Sequence, residues 1–456
     1  MITLTLSKSA LYLFRSLLNS FNSSSHINPL LSALRENDKE GLFNASPAMV
    51  CYPTGIPTLD YQLGYTLVSK DQYGAVTGTH DCLGLVGGSF ITIIGKSGTA
   101  KTAMACKMGA EIVKNHKSSF VLHYDLEQAL NPTRVMNITG LSNAEYMDHY
   151  VLKSSRSYIE DIFDTIMDIA NEKQKNKKMY QYTTDFKDEF GQPITIYEPT
   201  VFIIDSIPVL ATRPDQKKVK AKKGSGQEDY YVEDQEIEGQ TYAMRVARAL
   251  KQFFSRLIPI IKEFNITIIS INHINQKIEI NPFAKSQAQV LYLKQDEALS
   301  GGTAPVYYAN TLIKHVAVGS SKANKEEDGY SGFRINAEII KSRTNISGAK
   351  VPIVYDQDHG FSKERTLLEY ARDLGLVNGS RISARYLGDD DSVKFNEKDI
   401  VNEYQNREEV RAMFDKWVYP HLEKLLSRVN KDEEKEMLEN NEGLNNDALM
   451  KLVNED

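Results

Sequence analysis

The apolar residues of this chain gather into short continuous runs: Ser89-Phe-Ile-Thr-Ile-Ile94, Ser119-Phe-Val-Leu-His-Tyr124, Val201-Phe-Ile-Ile204 and Ile266-Thr-Ile-Ile-Ser-Ile271. Runs this short, unbroken by polar alternation, predict strands buried on both faces. Helical stretches separate them, so the pattern predicts α/β architecture with a mostly parallel sheet between helices. The core begins near Tyr52, in YPTGIPTLDYQLG. Residues 1–40 read as one or two amphipathic helices around a Ser/Asn-rich break, Asn19 to Ser25. Asn171 to Pro199 is polar and Lys/Asp-rich and predicts a surface insertion. Beyond about Tyr370 the period becomes helical, with Glu408 to Leu426 regular, and no internal repeat is present.

The first run leads into Gly95-Lys96-Ser97-Gly98-Thr99-Ala100-Lys101-Thr102, and a helix is predicted from Lys101. Strand, glycine loop and helix are the context a phosphate-binding loop requires: backbone N–H groups and the helix N-terminus form a positive concavity for phosphates. Lys101 adds a full charge, and the Thr102 hydroxyl suits Mg²⁺. Ala100 stands where the common pattern has its second glycine. Alanine fits there on a helical backbone but lacks glycine's freedom to take positive φ. Val201-Phe-Ile-Ile-Asp205-Ser206 ends a strand on a carboxylate, which either caps the next turn or orients Mg²⁺. Glu127, in Tyr124-Asp-Leu-Glu-Gln-Ala-Leu-Asn-Pro132, lies just past a strand end, where parallel sheets place ligands. It is either a solvated loop carboxylate or the group that polarises an attacking water.

Composition narrows the class. Of 456 residues 41% are hydrophobic, with no apolar stretch near the ~20 residues of a membrane helix. Lys8 and Arg15 interrupt the N-terminal apolar face and no small-residue cleavage site follows, so a signal peptide is not expected. Three scattered cysteines (Cys51, Cys82, Cys106) point to a reducing, cytosolic setting. Net charge is −6, but residues 431–456 hold nine acids and three bases, so the rest of the chain is neutral overall. Arg213, Lys217, Lys218, Lys220, Lys222 and Lys223 form a separate basic cluster. By itself such a run is a solvated loop; beside an acidic tail it also suits a DNA-binding surface for which tail and phosphate compete.

Taken in order, PTGIPTLDYQLG, GKSGTAKT, DLEQALNP, IIDSIPVL, SINHINQ, SGGTAPVYYAN and IIKSRTN resemble the RecA-type strand-exchange recombinases. HGFSKERTLLEYARDLGLVNGSRISARYLG resembles the small domain that follows the bacterial core, so the likeness covers about residues 50–430. His273 in SINH and the loop without its second glycine are more similar to the T4-type phage members. The resemblance implies a RecA-like ATPase core at 46–362, an N-terminal polymerisation segment at 1–45, a small C-terminal α/β domain at 363–430 and an acidic tail at 431–456.

It also implies roles. Glu127 becomes the water-orienting base and Asp205 part of the Mg²⁺ shell. His273 becomes the γ-phosphate sensor, and Lys341 with Arg343 the cations that reach a neighbouring subunit's ATP. Two DNA loops follow, about 211–240 with the basic cluster, and 274–302 with Lys277, Phe283, Lys285 and Lys294, closing on Gly301-Gly302. Basic residues there track phosphates, and an apolar wedge such as Phe283 separates stacked bases. The partners implied are single-stranded DNA, homologous duplex, further copies of the chain in a helical filament, a single-strand-binding protein and a mediator, with no membrane. ATP and Mg²⁺ are the cofactors, and the host-cell cytoplasm is the location. A hexameric replicative helicase on the same core is the other reading, and a nucleotide-gated assembly protein a third.

Overall fold

Four strands form where the apolar runs predict them: β1 Phe90–Gly95, β2 Phe120–Asp125, β4 Thr200–Asp205 and β5 Ile266–Gln276. The computed structural model describes residues 50–70, 76–187, 193–213, 216–219, 230–233, 239–276, 292–323, 325–380 and 384–426. The N-terminal segment and the acidic tail lie outside them. The remaining strands of the central sheet are β3 Tyr150–Lys153, β6 Glu297–Leu299, β7 Thr311–Ala323, β8 Gly332–Ser342, β9 Lys350–Asp356 and β10 Gly360–Phe361. Their order is β10–β9–β8–β7–β1–β5–β4–β2–β3, with β6 paired to β5 off this path. From β7 to β3 every pairing is parallel. From β7 to β10 the sheet turns antiparallel.

Side-chain alternation explains why both faces are apolar. Val201 and Ile203 of β4 join Ile91, Ile93, Ile269 and Ile271 in one core, filled by Leu59 of helix α1, Pro57–Leu63, and by Met104 and Met108 of helix α2, Lys101–Val113. Phe202 and Ile204 face the other way, onto Leu250, Phe254 and Leu257 of helix α4, Gly239–Glu263, and Ile162 and Ile166 of helix α3, Ile159–Lys175. Each fully buried Leu or Phe is worth about 1.5–3 kcal/mol, so burial on two faces holds the central strands. Helix α2 reaches the sheet closely because it carries Gly109, where a Cβ would stand 3.2 Å from Ile203 and 3.3 Å from Val121.

The polar stretch from Asn171 is a helix end followed by a surface hairpin, Gln181–Lys187 with Pro193–Tyr197. Past β10, helix α5 (Lys363–Asp373) is capped by Ser362, whose hydroxyl accepts the Arg365 N–H at 3.3 Å. Leu367, Leu387, Phe395, Ile400, Val410 and Phe414 build a smaller separate core there. That region is not wholly helical: Val377–Ser380 pairs antiparallel with Ala384–Leu387. Arg334 of β8 binds both carboxylate oxygens of Asp373 and also Glu369, tying α5 to the sheet. Among the described residues no helix is long and apolar enough to cross a membrane.

Candidate active site at the carboxyl edge of the sheet

Register brings the site together. Gly95 at the end of β1 pairs with His273 of β5 on one side and His315 of β7 on the other, while Asp205 of β4 pairs with Asp125 of β2. Gly95, Asp125 and Asp205 end their strands, and His273 and His315 stand where the parallel pairing of β5 and β7 with β1 ends, at the carboxyl edge of β1 where such sheets bind ligands.

Residues Gly95 to Thr102 form a turn that opens α2, with Lys96, Ser97 and Gly98 exposed and Lys101 buried. Gly95 is required by space, since a Cβ there would sit 2.8 Å from the His315 carbonyl and from Thr99 Oγ1. Ala100 departs from the helical backbone expected of it: with φ 57° and ψ 32° it is left-handed, the glycine conformation without the glycine. The cost is about 1 kcal/mol. Ala100→Gly should therefore raise the unfolding free energy of the nucleotide-free protein by roughly 0.5–1 kcal/mol, read from chemical denaturation. A helical Ala100 would give the opposite sign, because glycine then only adds chain entropy.

Lys101 Nζ donates to the Lys96 carbonyl at 2.8 Å, folding back over the loop. Burial pulls its ammonium below the ordinary lysine value, against the pull of Asp205 and Glu127. Thr102 Oγ1 donates to Asp205 Oδ2 at 2.6 Å, so two oxygens 103 residues apart in sequence meet. Burial pushes the Asp205 carboxyl up to about 6, with the charges of Glu127 and Asp125 adding to it and the Thr102 hydroxyl opposing. Asp205 and Glu127 thus share one lysine, with Asp125 adding its charge beside Asp205.

Glu127 follows β2 on a turn held by its neighbours. Asp125 accepts the N–H groups of Ala129 and Leu130, at 3.2 and 3.0 Å, and the Asp205 carbonyl accepts Leu126 N–H at 2.7 Å. Glu127 Oε1 accepts from Ser206 Oγ at 2.5 Å and from His273 Nε2 at 3.1 Å. Burial raises this carboxyl, but those two donors, with the His273 and Lys101 charges, outweigh it and hold it below the usual glutamate value. The carboxylate is therefore ionised, fixed in place and about one-third exposed.

Behind Asp205 stands His123, fully buried, with Nε2 3.9 Å from Asp205 Oδ2 and Nδ1 2.8 Å from the Tyr150 hydroxyl. Tyr150 in turn reaches Cys106 Sγ at 3.3 Å. Burial drives His123 down to about 4, so the imidazole is neutral. Ser206, Asp125, His123, Tyr150 and His315 are absent from the sequence-based site. Ser206 and Asp125 flank residues it includes. The signal for the histidines is a polar ring interrupting an apolar strand, in Val-Leu-His-Tyr-Asp and Leu-Ile-Lys-His-Val.

Lys341 lies on β8, and Arg343 follows one residue past the strand end, its N–H on the Asn310 carbonyl. Lys341 Nζ donates to the Val306 and Tyr307 carbonyls at 3.1 and 2.6 Å. Burial, with Arg343 beside it, lowers its ammonium to about 8.

The two candidate DNA loops leave the adjacent strands β4 and β5. Of the first, the backbones of Lys217 and Lys218 form a hairpin strand, Gln216–Val219 paired with Tyr230–Glu233. Lys220, Lys222 and Lys223 lie outside the described residues. Arg213 is engaged elsewhere: its guanidinium binds Asp161 at 2.6 and 2.9 Å and Asp164 at 2.9 Å. Lys277, Phe283 and Lys285 of the second loop also lie outside the described residues. Its stem is formed, with Ile274 to Gln276 pairing with Glu297 to Leu299, and Asn272 donating to the Ser300 carbonyl at 2.9 Å. Lys314 binds both oxygens of Glu297 at 2.8 Å, a buried anchor of that stem on β7. Gly301 and Gly302 close it with φ of 79° and 73°, and a Cβ on Gly301 would meet Leu250 at 2.8 Å. Exposed Lys294 completes the predicted set.

Comparison with curated proteins finds 27% identity over 150 residues to Protein RecA of Sulfurimonas denitrificans. The match takes in 32% of this chain and 39% of that protein, well under half the length of the relative. No family model matches the chain.

Proposed function

We propose that this protein is an ATP-hydrolysing DNA strand-exchange protein of the RecA type, most like the T4-type phage members, which polymerises on single-stranded DNA as a helical filament. The observation that carries the reading is the convergence of Lys101, Thr102, Asp205, Glu127 and His273 at one sheet edge, beside the stems of two loops. The partial likeness to RecA supports it.

Residues of the loop fit a nucleoside triphosphate. Gly95 to Thr102 offer backbone N–H groups, and Lys101 is a buried cation already among acids. Thr102 and Asp205 fit Mg²⁺: both donors are hard oxygens, already in contact, and Asp205 and Glu127 share a single lysine. Among the described residues no cluster of three or more His, Cys, Asp or Glu forms a metal cage, and Mg²⁺ held mainly by phosphates needs none. Bound there, Mg²⁺ supplies charge that offsets what builds up on the phosphoryl group. Glu127, ionised and pinned by Ser206, orients and polarises the attacking water.

His273 carries a second role. A carboxylate only accepts, so Nε2 bears the proton it gives Glu127. A γ-phosphate oxygen competes for that proton, and the pull passes directly to the second loop's stem, which starts at the next residue. Loading and loss of the γ-phosphate then bias the loop. The basic residues of both loops track the phosphates of single-stranded DNA and homologous duplex, with Phe283 as wedge. Arg213 joins them only by leaving Asp161 and Asp164. Assembly into the filament uses residues 1–45, and a single-strand-binding protein and a mediator act with it in the host-cell cytoplasm.

The test is joint-molecule formation. With ATP, Mg²⁺ and circular single strands, a homologous linear duplex should be taken up and a heterologous one should not. Unwinding of a tailed duplex with no homologous strand present would instead establish the helicase.

A further inference from the structure

His315 has no role in the chemistry proposed above, yet its side chain touches the phosphate loop. Its imidazole is 2% exposed, and Nδ1 lies 2.9 Å from the Thr99 carbonyl oxygen. A carbonyl only accepts, so Nδ1 carries the proton and Nε2 is left as an acceptor, buried without a hydrogen-bond partner. Burial agrees with that state, pushing the imidazole down to about 4 and keeping it neutral. A buried histidine that leaves one nitrogen unsatisfied, yet spends the other on a loop carbonyl, is costly unless the loop needs it.

What the loop needs is visible one residue on. Ala100 is left-handed, which for alanine is unfavourable. The Thr99–Ala100 peptide is trans, so its C=O and N–H point in opposite directions. Fixing the Thr99 oxygen against β7 therefore turns the Ala100 N–H away from β7 and sets the ψ of Thr99 that leads into the left-handed turn. The main chain of His315 already abuts the start of the loop, pairing with Gly95.

We propose that His315 is a positioning residue for the phosphate loop: its Nδ1–H holds the Thr99 carbonyl, aims the Ala100 N–H at a bound phosphate, and keeps Ala100 in the conformation a glycine takes unaided. The inference rests on the nucleotide-binding reading above. It also explains how a loop lacking its second glycine retains the shape of one that has it.

Titration of the full-length protein with N-methylanthraniloyl-ADP and Mg²⁺ tests it. His315→Leu should weaken binding about tenfold, the loss of one hydrogen bond of ~1.4 kcal/mol. His315→Asn should bind nearly as the parent does, because the Asn Nδ2 sits the same number of bonds from Cα as Nδ1. His315→Gln, with its donor one bond farther out, should follow the leucine variant. The decisive comparison is in the Ala100→Gly background, where the cost of His315→Leu should fall below about threefold, since the two changes act on one peptide and do not add. Equal costs in both backgrounds, or binding by a natively folded His315→Leu equal to the parent, overturns the proposal. If His315→Leu does not fold, equal binding by His315→Asn and His315→Gln overturns it. Failure of the parent protein to bind the probe overturns the nucleotide reading instead.

Discussion

Glu127→Gln will bind ATP as the parent protein does and hydrolyse it about 10²–10⁴-fold more slowly, the range a positioned general base contributes. The amide keeps the shape and one acceptor oxygen, so Ser206 Oγ and His273 Nε2 keep their partner. What is lost is the charge that polarises water. Lys101→Ala behaves differently, because the ammonium is buried beside Asp205 and Glu127 and no nearby group replaces it. Removing it leaves excess negative charge facing the phosphates, and nucleotide affinity should fall at least about 10²-fold, the loss of a charge-assisted hydrogen bond plus the repulsion that remains. Binding of the fluorescent nucleotide, measured beside steady-state phosphate release, separates the two outcomes. Near-normal turnover in Glu127→Gln removes that residue from the chemistry. Unchanged affinity in Lys101→Ala moves the phosphates elsewhere.

The parts of this site that sequence makes legible are those encoded locally. Gly95 to Thr102 declare themselves because the loop follows its own strand and opens its own helix. Asp205 and Glu127 do so because each ends or follows an apolar run. What supports them is encoded at long range. His315 meets Thr99 only because β7 pairs with β1, in a register that sets His315 against Gly95, 220 residues away. His123 reaches Asp205 only because β2 lies beside β4. No spacing rule within one segment carries either fact.

Conformation and pairing mislead for a related reason. Residue type suggests that Ala100 avoids positive φ, yet His315 and the loop's own bonds hold it there. A run of basic residues shows charge but not which charges are already paired. Arg213 is bound by two aspartates of a helix about 50 residues earlier, the edge of the very cluster it helps define. The pairing of Val377–Ser380 with Ala384–Leu387 hides within a helical period because each strand is only four residues long.

Arg343→Ala will bind ATP as an isolated chain yet lose about 10³–10⁵-fold of its DNA-stimulated hydrolysis, the range for a cation delivered in trans to a transferred phosphoryl group. Within its own chain Lys341 is held by the carbonyls of Val306 and Tyr307, and Arg343 lies two strands away from the phosphate loop's strand. In the head-to-tail filament proposed above, one protomer's cations would meet the next protomer's nucleotide. Mixing Arg343→Ala with Glu127→Gln in equal amounts then gives about one interface in four with both an intact carboxylate and intact cations, so activity should return to about a quarter of the parent level. Co-assembled mixtures that stay silent would rule out action in trans. Lys341 adds a pH signature. Its ammonium is lowered to about 8 in the isolated chain by burial and by Arg343, and triphosphate charge brought against it raises that value. A group whose pKa rises on assembly favours assembly below its free value and loses that contribution as pH climbs past it. Filament formation with ATP and single-stranded DNA should therefore take up protons near pH 8 and weaken above it. Lys341→Arg, always charged, should remove the uptake and flatten the pH dependence, which calorimetry in two buffers of different ionisation enthalpy measures directly.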